Sequence, residues 1–463
     1  MKVTVYGGAG KIGGNKILLE EEVGKVFLDF GLDFNAKNMF FSTFLQPRRF
    51  ALISDYVLTG VVPPLKGLYR RDLAPENLNS EKPFVDAVLV SHGHLDHYGH
   101  VSLTRPDIPI YMGEGTRVLV KAREESKPRS AESLFVEDFE RIVHVFKTGD
   151  YIRVGGMGIR PVHVDHSIPA AYGFIVEGDG GVLAYTGDIR VHGPRKDMTI
   201  DFVNECSKAG VDTLVIEGTR LLEEVNNSEE DVRVMMEKTV SEAEKHLVAV
   251  VVGMMDFDRL KTILQVSELT DRLPAISLHH AHVLNSLAGK GLRMDVPQMA
   301  EDSLVAYLER RRSGTYAKSD YPKWMANLME SVPTLKEDEI RQNPEKFILV
   351  LSRAEEVIEL ASMKPPIGSP FILSTSEPHS EEQVLEMDKI NHWIELLGLK
   401  MYHIHASGHA SGPDLLNIIR EIAPEKVVPV HTTAPELFAS LLQREKIEAE
   451  VVVPHSGKCF EVF

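Results

Sequence analysis

The segment Ser91–His97 carries three histidines and one aspartate within six positions, directly after the apolar run Val88–Val90. The apolar run predicts the end of a buried strand, so the polar side chains are expected at the carboxyl end of that strand, where α/β sheets place their chemistry. Imidazole and carboxylate together are ligands for Zn²⁺ or Mn²⁺. A histidine-rich surface loop is the alternative, but H-x-H-x-D-H is rare by chance. The segment therefore predicts an α/β fold with a metal site at a sheet edge.

Other residues of ligand type also follow strand-like runs. Asp188 comes after the apolar run Gly181–Tyr185, and its carboxylate can give one oxygen to each of two cations. His409 and His431 each come shortly after a strand pattern. A lone histidine is more often a structural residue than a metal ligand. Two histidines at strand ends, in a chain that already has a metal motif, favour a functional role.

Length and composition restrict the class of protein. The 463 residues suffice for two or three domains, each with its own core. The net charge of -17 argues against a broad polyanion-binding face, so a nucleic-acid site has to be local. Cys206 and Cys459 are far apart, and no disulfide framework or cysteine-rich zinc site is expected. Without a signal-peptide pattern or a long apolar run, we expect a cytoplasmic protein with no membrane span.

The order of the patterns predicts two kinds of domain. The N-terminal part reads as strands joined by tight turns, and its glycines at 7–14 favour a hairpin turn over a phosphate cradle because G-x-G-x-x-G spacing is absent. From Thr213 onward, strand runs alternate with helical stretches, which predicts a mostly parallel α/β domain at 218–398. The chain closes with further strands and helices over 399–463.

Two basic segments each have two interpretations. The insertion at 35–83 is either a basic lip for phosphate groups or a solvated loop, and its role is left open. The segment 309–324 interleaves arginines and lysines with aromatics, so it is either a single-strand stacking platform or a charged helix end. The insertion's basic residues are Arg48, Arg49, Lys66, Arg70 and Arg71.

The motif Ser91–His97, with Asp29 in Leu28–Gly31, resembles the metallo-β-lactamase superfamily. Glu217, the Ser-Gly-His-Ala segment at 407–410 and His431 resemble the acidic and histidine motifs of its β-CASP branch, and within that branch ribonuclease J. The resemblance implies an αββα sandwich with an inserted α/β β-CASP domain. The expected parts are a metallo-β-lactamase domain at 1–217 and 399–463, with the β-CASP domain at 218–398.

The resemblance also implies roles for individual residues. One metal ion would be held by His92, His94, His166 and Asp188, and the other by Asp96, His97, Asp188 and His431. The expected catalytic residues are Asp96, Asp188, Glu217 and His409. Contact with the substrate phosphate is expected from His405, Ser407 and His409. Asp29 is expected to support the metal loop by hydrogen bonds. Six further histidines are expected to be surface or packing residues rather than ligands; they are His100, His163, His192, His279, His280 and His282.

The function implied is metal-dependent hydrolysis of RNA phosphodiester bonds with two divalent ions, Zn²⁺ first and Mn²⁺ as the alternative. Exonucleolytic and endonucleolytic modes are both open, as is a homodimer, and single-stranded RNA is the expected partner. A DNA nuclease of the same branch, a small-molecule hydrolase and a catalytically silent RNA-binding paralogue are the alternatives. The segment Ser374–Pro378 only loosely resembles the Gly-Ser-Gln-Gly-Glu-Pro segment of ribonuclease J, and Tyr98–His100 replaces Ile-Gly-Gly. The C-terminal domain of bacterial ribonuclease J is not expected in the chain.

Overall fold

The computed structural model describes residues 1–135, 140–292, 294–299, 303–376 and 381–463. These residues divide into two compact units. The first unit comprises 1–124, 128–226 and 408–463, and the second comprises 125–127 and 227–407. In the described parts of the chain, no helix combines the length and the apolar character that crossing a membrane requires.

The first unit contains two seven-stranded sheets. The first sheet has the order β21-β1-β2-β3-β4-β5-β6. Its strands are β1 Lys2–Gly7, β2 Lys16–Glu21, β3 Gly24–Phe30, β4 Ala87–Val90, β5 Ile110–Gly113, β6 Val143–Phe146 and β21 Cys459–Glu461. The second sheet has the order β20-β19-β11-β10-β9-β8-β7. Its strands are β7 Ile152–Val154, β8 Met157–Val164, β9 Ala171–Gly178, β10 Gly181–Tyr185, β11 Thr213–Glu217, β19 Lys426–Val430 and β20 Glu450–Val451.

The layers of this unit follow from the alternation of side chains along the strands. Val26 and Leu28 of β3 point into the core shared with Phe174 and Val176 of β9 in the second sheet, whereas Phe27 points to the opposite face. Both outer faces are apolar as well, and helices cover them. These helices are α1 Phe34–Phe40, α2 Leu52–Leu58, α3 Leu95–Tyr98, α4 Glu114–Glu125, α5 Lys196–Ala209, α13 Gly412–Ile422 and α14 Leu437–Arg444. The predicted αββα sandwich is confirmed.

The second unit contains a seven-stranded sheet of parallel strands in the order β15-β14-β13-β16-β12-β17-β18. Its strands are β12 Val248–Val251, β13 Leu273–Ser277, β14 Val305–Leu308, β15 Thr334–Lys336, β16 Phe347–Leu351, β17 Pro370–Leu373 and β18 Lys400–His403. Its helices are α6 Glu229–Ser241, α7 Phe257–Leu269, α8 Leu278–Leu287, α9 Lys323–Leu328, α10 Glu337–Gln342, α11 Leu360–Met363 and α12 Glu381–Leu396. The expected alternation of strands and helices in a parallel α/β domain is confirmed.

The observed unit boundaries lie later in the chain than the predicted ones. The second unit begins at 227 rather than 218 and extends to 407 rather than 398. The second difference has a clear cause, because β18 pairs with β17 through Lys400 to His403 and so completes the second unit's sheet. Among the closing strands, β20 has only two residues, Glu450 and Val451.

The hairpin interpretation of the N-terminal glycines is confirmed. β1 and β2 pair antiparallel, and the glycine-rich loop joins them. Gly31, farther along, allows the close approach of the next loop, because a Cβ there would lie 1.6 Å from the backbone oxygen of Asp96. The chain can therefore bring the end of β3 directly against the start of α3.

Candidate metal centre

The candidate ligands all lie at one edge of the first unit. His92 and His94 follow β4, and Asp96 and His97 lie in α3. His166 and Asp188 follow β8 and β10, and His431 follows β19. Because β8, β10, β11 and β19 run in the same direction, the residues that follow them meet at the same edge of the sheet.

The first group of side chains is His92, His94, His166 and Asp188, whose ligand atoms all lie within 4.8 Å of one another. His94 Nδ1 lies 3.1 Å from both His92 Nε2 and His166 Nε2. Burial lowers the pKa of His94 to about 4, and it lowers those of His92 and His166 well below the usual value. The three rings are therefore neutral near pH 7, and their lone pairs are available for a metal ion.

The second group is Asp96, His97 and His431, again within 4.8 Å. His431 Nε2 lies 3.1 Å from Asp96 Oδ2. His97 Nε2 lies 3.1 Å from Asp188 Oδ2, so Asp188 adjoins both groups. Burial alone would lower the pKa of His97, but the carboxylates of Asp188, Asp29 and Asp96 raise it well above the usual value. This side of the site therefore has an excess of carboxylates, which a cation would balance.

One buried oxygen in the site, Asp188 Oδ1, has no hydrogen-bond partner among the described residues. His97 Nε2 has its 3.1 Å contact with the other oxygen of the same carboxylate. Buried polar atoms are normally paired, and an imidazole nitrogen and a carboxylate oxygen are both good ligands for Zn²⁺. The donor set and the unpaired oxygen of Asp188 fit a divalent metal ion.

Asp29 holds the histidine-containing segment Ser91–His97 by hydrogen bonds. Its Oδ1 accepts from the Ser91 backbone N–H at 2.7 Å. Its Oδ2 accepts from Ser91 Oγ, His97 Nδ1 and Tyr185 Oη at 2.7 to 2.8 Å. The expected supporting role of Asp29 is confirmed. Ser91 and Tyr185 join this network, and no feature of the sequence distinguished Tyr185 from an ordinary apolar strand residue.

A similar contact orients His166. Its Nδ1 donates to the backbone oxygen of Gly408 at 2.5 Å, which leaves Nε2 facing His94. A side chain at position 408 has no room, because a Cβ would lie 2.9 Å from His166 Cε1 and 2.7 Å from Ser167 Oγ. The glycine of the Ser-Gly-His-Ala segment thus lets the backbone reach the metal-site histidine.

His409 and Glu217 form an ion pair beside these groups. His409 Nδ1 lies 2.9 Å from Glu217 Oε1, and the His409 ring lies 5.1 Å from that of His166 and 5.6 Å from that of His431. Burial acts to lower the pKa of His409, but the Glu217 carboxylate outweighs it and raises the pKa to about 9. His409 is therefore protonated near pH 7 and can donate a hydrogen bond or a proton.

His405 and Ser407 belong to the second unit. His405 Nδ1 lies 3.3 Å from a guanidinium nitrogen of Arg259, which is fully buried. Burial, followed by the charge of Arg259, lowers the pKa of His405 to about 3. His405 is therefore neutral and cannot add a positive charge near a phosphate. The phosphate roles of His405 and Ser407 stay predictions.

The six histidines that were not expected to be ligands contact neighbouring side chains or are buried. His100 lies fully buried against Tyr56, and His163 stacks on Tyr172. His192 Nδ1 lies 3.3 Å from Asn226 Nδ2, His280 is buried in α8, and His279 and His282 contact Trp324.

One further cluster lies in the second unit, where His279, Glu309 and Glu356 have ligand atoms within 4.8 Å. Arg311 pairs with Glu309 at 2.7 Å, and Arg353 pairs with Glu356 at 3.3 Å. These arginines already neutralise the two carboxylates, so the cluster offers a cation little charge.

In both basic segments, 35–83 and 309–324, some of the basic side chains form ion pairs with acidic residues of the same segment. Arg48 binds Asp55, and Arg70 binds Asp72. In the segment 309–324, Tyr321 is buried and donates to the backbone oxygen of Glu309, so it cannot stack on a base. Within Ser374–Pro378, Glu377 and Pro378 lie outside the described residues.

Two family models match the chain. The beta-lactamase superfamily domain matches residues 57–245, and the Zn-dependent metallo-hydrolase RNA specificity domain matches residues 397–454. The first match includes most of the candidate ligands, and the second includes His409 and His431.

Curated relatives carry the name ribonuclease J. That of Sinorhizobium meliloti is 25% identical over 386 residues, which cover 78% of this chain and 60% of the relative. That of Pyrococcus abyssi is 23% identical over 419 residues, which cover 86% of each. A solved structure of a protein of unknown function from Enterococcus faecalis V583 is 20% identical, covers 99% of both chains and has a TM-score of 0.73, which shows the shared fold.

Proposed function

Since the chain is a ribonuclease J-like protein of the metallo-β-lactamase superfamily, we propose that it is a metal-dependent ribonuclease that hydrolyses RNA phosphodiester bonds. The observation that carries the proposal is the meeting of two ligand groups around Asp188, with protonated His409 beside them. Two divalent ions, Zn²⁺ first and Mn²⁺ as the alternative, and a cytoplasmic location are parts of the same proposal.

Bound divalent ions would supply hydroxide at neutral pH and offset the negative charge of the phosphate. The neutral rings of His92, His94 and His166 would hold one ion, and Asp96, His97 and His431 the other. Asp188 lies between the groups, within 3.6 to 3.9 Å of His92, His166 and His431, and so has the position of a bridging ligand.

His409 would act on the phosphate itself. At neutral pH its protonated ring can donate to a non-bridging oxygen, or give its proton to the 3′-oxygen as that group leaves. Glu217 would keep the ring charged and oriented through Nδ1, and the proton on Nε2 would be the one that His409 offers to the substrate. The products would be a 3′-hydroxyl and a 5′-phosphate.

The acidic character of the chain is compatible with RNA as substrate. A net charge of -17 repels a polyanion at long range, but two divalent ions would bring four positive charges to the place where the phosphate binds. The proposal therefore predicts that RNA binding depends strongly on metal loading.

The test uses purified protein freed of metal and reloaded with Zn²⁺ or Mn²⁺, with labelled RNA and DNA of the same sequence. We expect RNA fragments with 5′-phosphate ends, and loss of cleavage in Asp188→Asn and His431→Ala. His144→Gln is the matched control, because His144 is exposed on β6 and lies among none of the candidate ligands. Intact RNA after metal loading, or faster cleavage of the DNA, would contradict the proposal.

A further inference from the structure

The hydroxyl of Thr219 lies between the side chains of Glu217 and His431. Thr219 follows β11 by two residues, and its Oγ1 lies 2.6 Å from Glu217 Oε2 and 2.8 Å from His431 Nδ1. The backbone N–H of Thr219 also donates to Glu217 Oε2, at 3.1 Å. This side chain therefore links two residues that are 214 positions apart in the sequence (431 − 217).

The direction of these hydrogen bonds follows from counting protons. A threonine hydroxyl has one proton, and a carboxylate can only accept. The hydroxyl therefore donates to Glu217 and accepts from His431 Nδ1–H. With a proton on Nδ1, Nε2 is the nitrogen that a metal ion could bind; it lies 3.1 Å from Asp96 Oδ2 and 3.9 Å from Asp188 Oδ2, the carboxylates that would hold the same ion.

Glu217 has contacts on both of its oxygens. Oε1 accepts from the backbone N–H of Ile189 at 3.0 Å and from His409 Nδ1 at 2.9 Å, while Oε2 accepts from Thr219. One buried carboxylate thus reaches His409 directly and His431 through a hydroxyl.

We propose that Thr219 is a positioning residue, whose hydroxyl transmits the orientation of Glu217 to His431 and fixes His431 as an Nε2 metal ligand. Metal-binding histidines normally donate their other N–H to a carboxylate or carbonyl group, which sets the tautomer and the ring orientation. His97 does this with Asp29, and His166 with Gly408. For His431 the partner is the hydroxyl of Thr219, which in turn donates to the Glu217 carboxylate.

The inference rests on the proposed metal site but not on cleavage of RNA, so its test uses binding and spectroscopy. The variants are Thr219→Val, which keeps the shape and removes the hydroxyl, and Thr219→Ser, which keeps the hydroxyl. Zn²⁺ is titrated into each metal-free protein against a competing chelator. We expect Thr219→Val to bind Zn²⁺ about 10- to 100-fold more weakly at one of its sites. Thr219→Ser should remain within a few-fold of the unaltered chain.

The second measurement is ¹⁵N NMR of histidine-labelled protein saturated with Zn²⁺, with the His431 signals assigned by their loss in His431→Gln. We expect the proton on Nδ1 in the unaltered chain and in Thr219→Ser, and a loss of that preference in Thr219→Val. Unchanged Zn²⁺ affinity in Thr219→Val, or an Nε2–H tautomer in the unaltered chain, would overturn the inference; the second result is decisive even if Thr219→Val fails to fold. If the unaltered chain bound Zn²⁺ and had the expected His431 tautomer but did not cleave RNA, only the proposed function would be rejected.

Discussion

Replacing Asp29 by asparagine tests how far the metal loop depends on one buried carboxylate. Asparagine has nearly the same shape and tolerates the left-handed backbone at φ 59°, so the change removes the charge and one acceptor oxygen with little strain. Asp29 is fully buried and accepts four hydrogen bonds. We expect Asp29→Asn to reduce both the free energy of unfolding and the affinity for metal.

The size of the effect follows from the four donors. The best placement of the amide turns its oxygen toward Ser91 Oγ, His97 and Tyr185, and its NH₂ group then opposes the Ser91 backbone N–H. One buried N–H without a partner costs about 1–3 kcal/mol, and each remaining bond loses roughly 1 kcal/mol on changing from a charged to a neutral acceptor. The free energy of unfolding should therefore fall by about 4–6 kcal/mol, and the metal affinity by about 10- to 100-fold.

The assay is urea unfolding of the metal-free protein, followed by Zn²⁺ titration against a chelator. Asp86→Asn serves as the control, because Asp86 accepts from the Lys25 backbone N–H at the exposed start of β3 and β4 in the same sheet, where water can replace the bond. The control should lose less than about 1 kcal/mol. If Asp29→Asn lost no more than the control and bound Zn²⁺ normally, the carboxylate would not be what holds the loop.

Three further predictions concern stability. Burial lowers the pKa of Lys16 from 10.5 to about 7, and the charge of Asp33 partly opposes this. Between these two pH values the unfolded chain binds more protons than the folded chain, so stability rises with pH. Lys16→Met should therefore raise the free energy of unfolding by up to about 4 kcal/mol at pH 7 and by less than about 1 kcal/mol at pH 10, measured by thermal unfolding. Ser228→Ala removes the side-chain cap that accepts from Asp231 N–H at the start of α6 and should cost about 1 kcal/mol in urea unfolding, whereas Ser228→Thr should not. Chelation should lower the melting temperature in calorimetry, with a loss of about 2.7 kcal/mol for sites loaded at 100 times Kd.

Much of the fold could be predicted because its strands are short apolar runs with turn residues between them. The apolar run Phe347–Leu351 coincides with β16, and the helical pattern of Arg259–Leu269 lies within α7. The second compact unit extends past the predicted boundary at 398 for a physical reason. Lys400–His403 is a short strand with three side chains largely outside the core, and only its pairing with β17 reveals which sheet it joins.

The candidate ligands could be predicted because each follows a strand, and parallel strands bring their carboxyl ends to the same edge. Spacing could not show what holds those ligands. Tyr185 reads as the last apolar residue of β10, yet its hydroxyl donates to Asp29, 156 positions earlier in the chain. Such contacts depend on the register between sheets, which a local pattern does not contain.

The supporting contacts explain why the histidine motifs are separated so widely in the chain. Each ligand histidine needs a partner for its second nitrogen, and a rigid neighbouring strand end can supply one. Gly408 does so for His166, and Thr219 for His431, across 242 and 212 positions. Because these partners come from the segments on either side of the second unit, the site can be complete only when both segments have joined the same sheet edge. Metal binding should therefore require the intact first unit: a fragment ending at 226 keeps His92, His94, His166 and Asp188 but lacks Gly408, and in a chelator competition it should bind Zn²⁺ more weakly than the full chain.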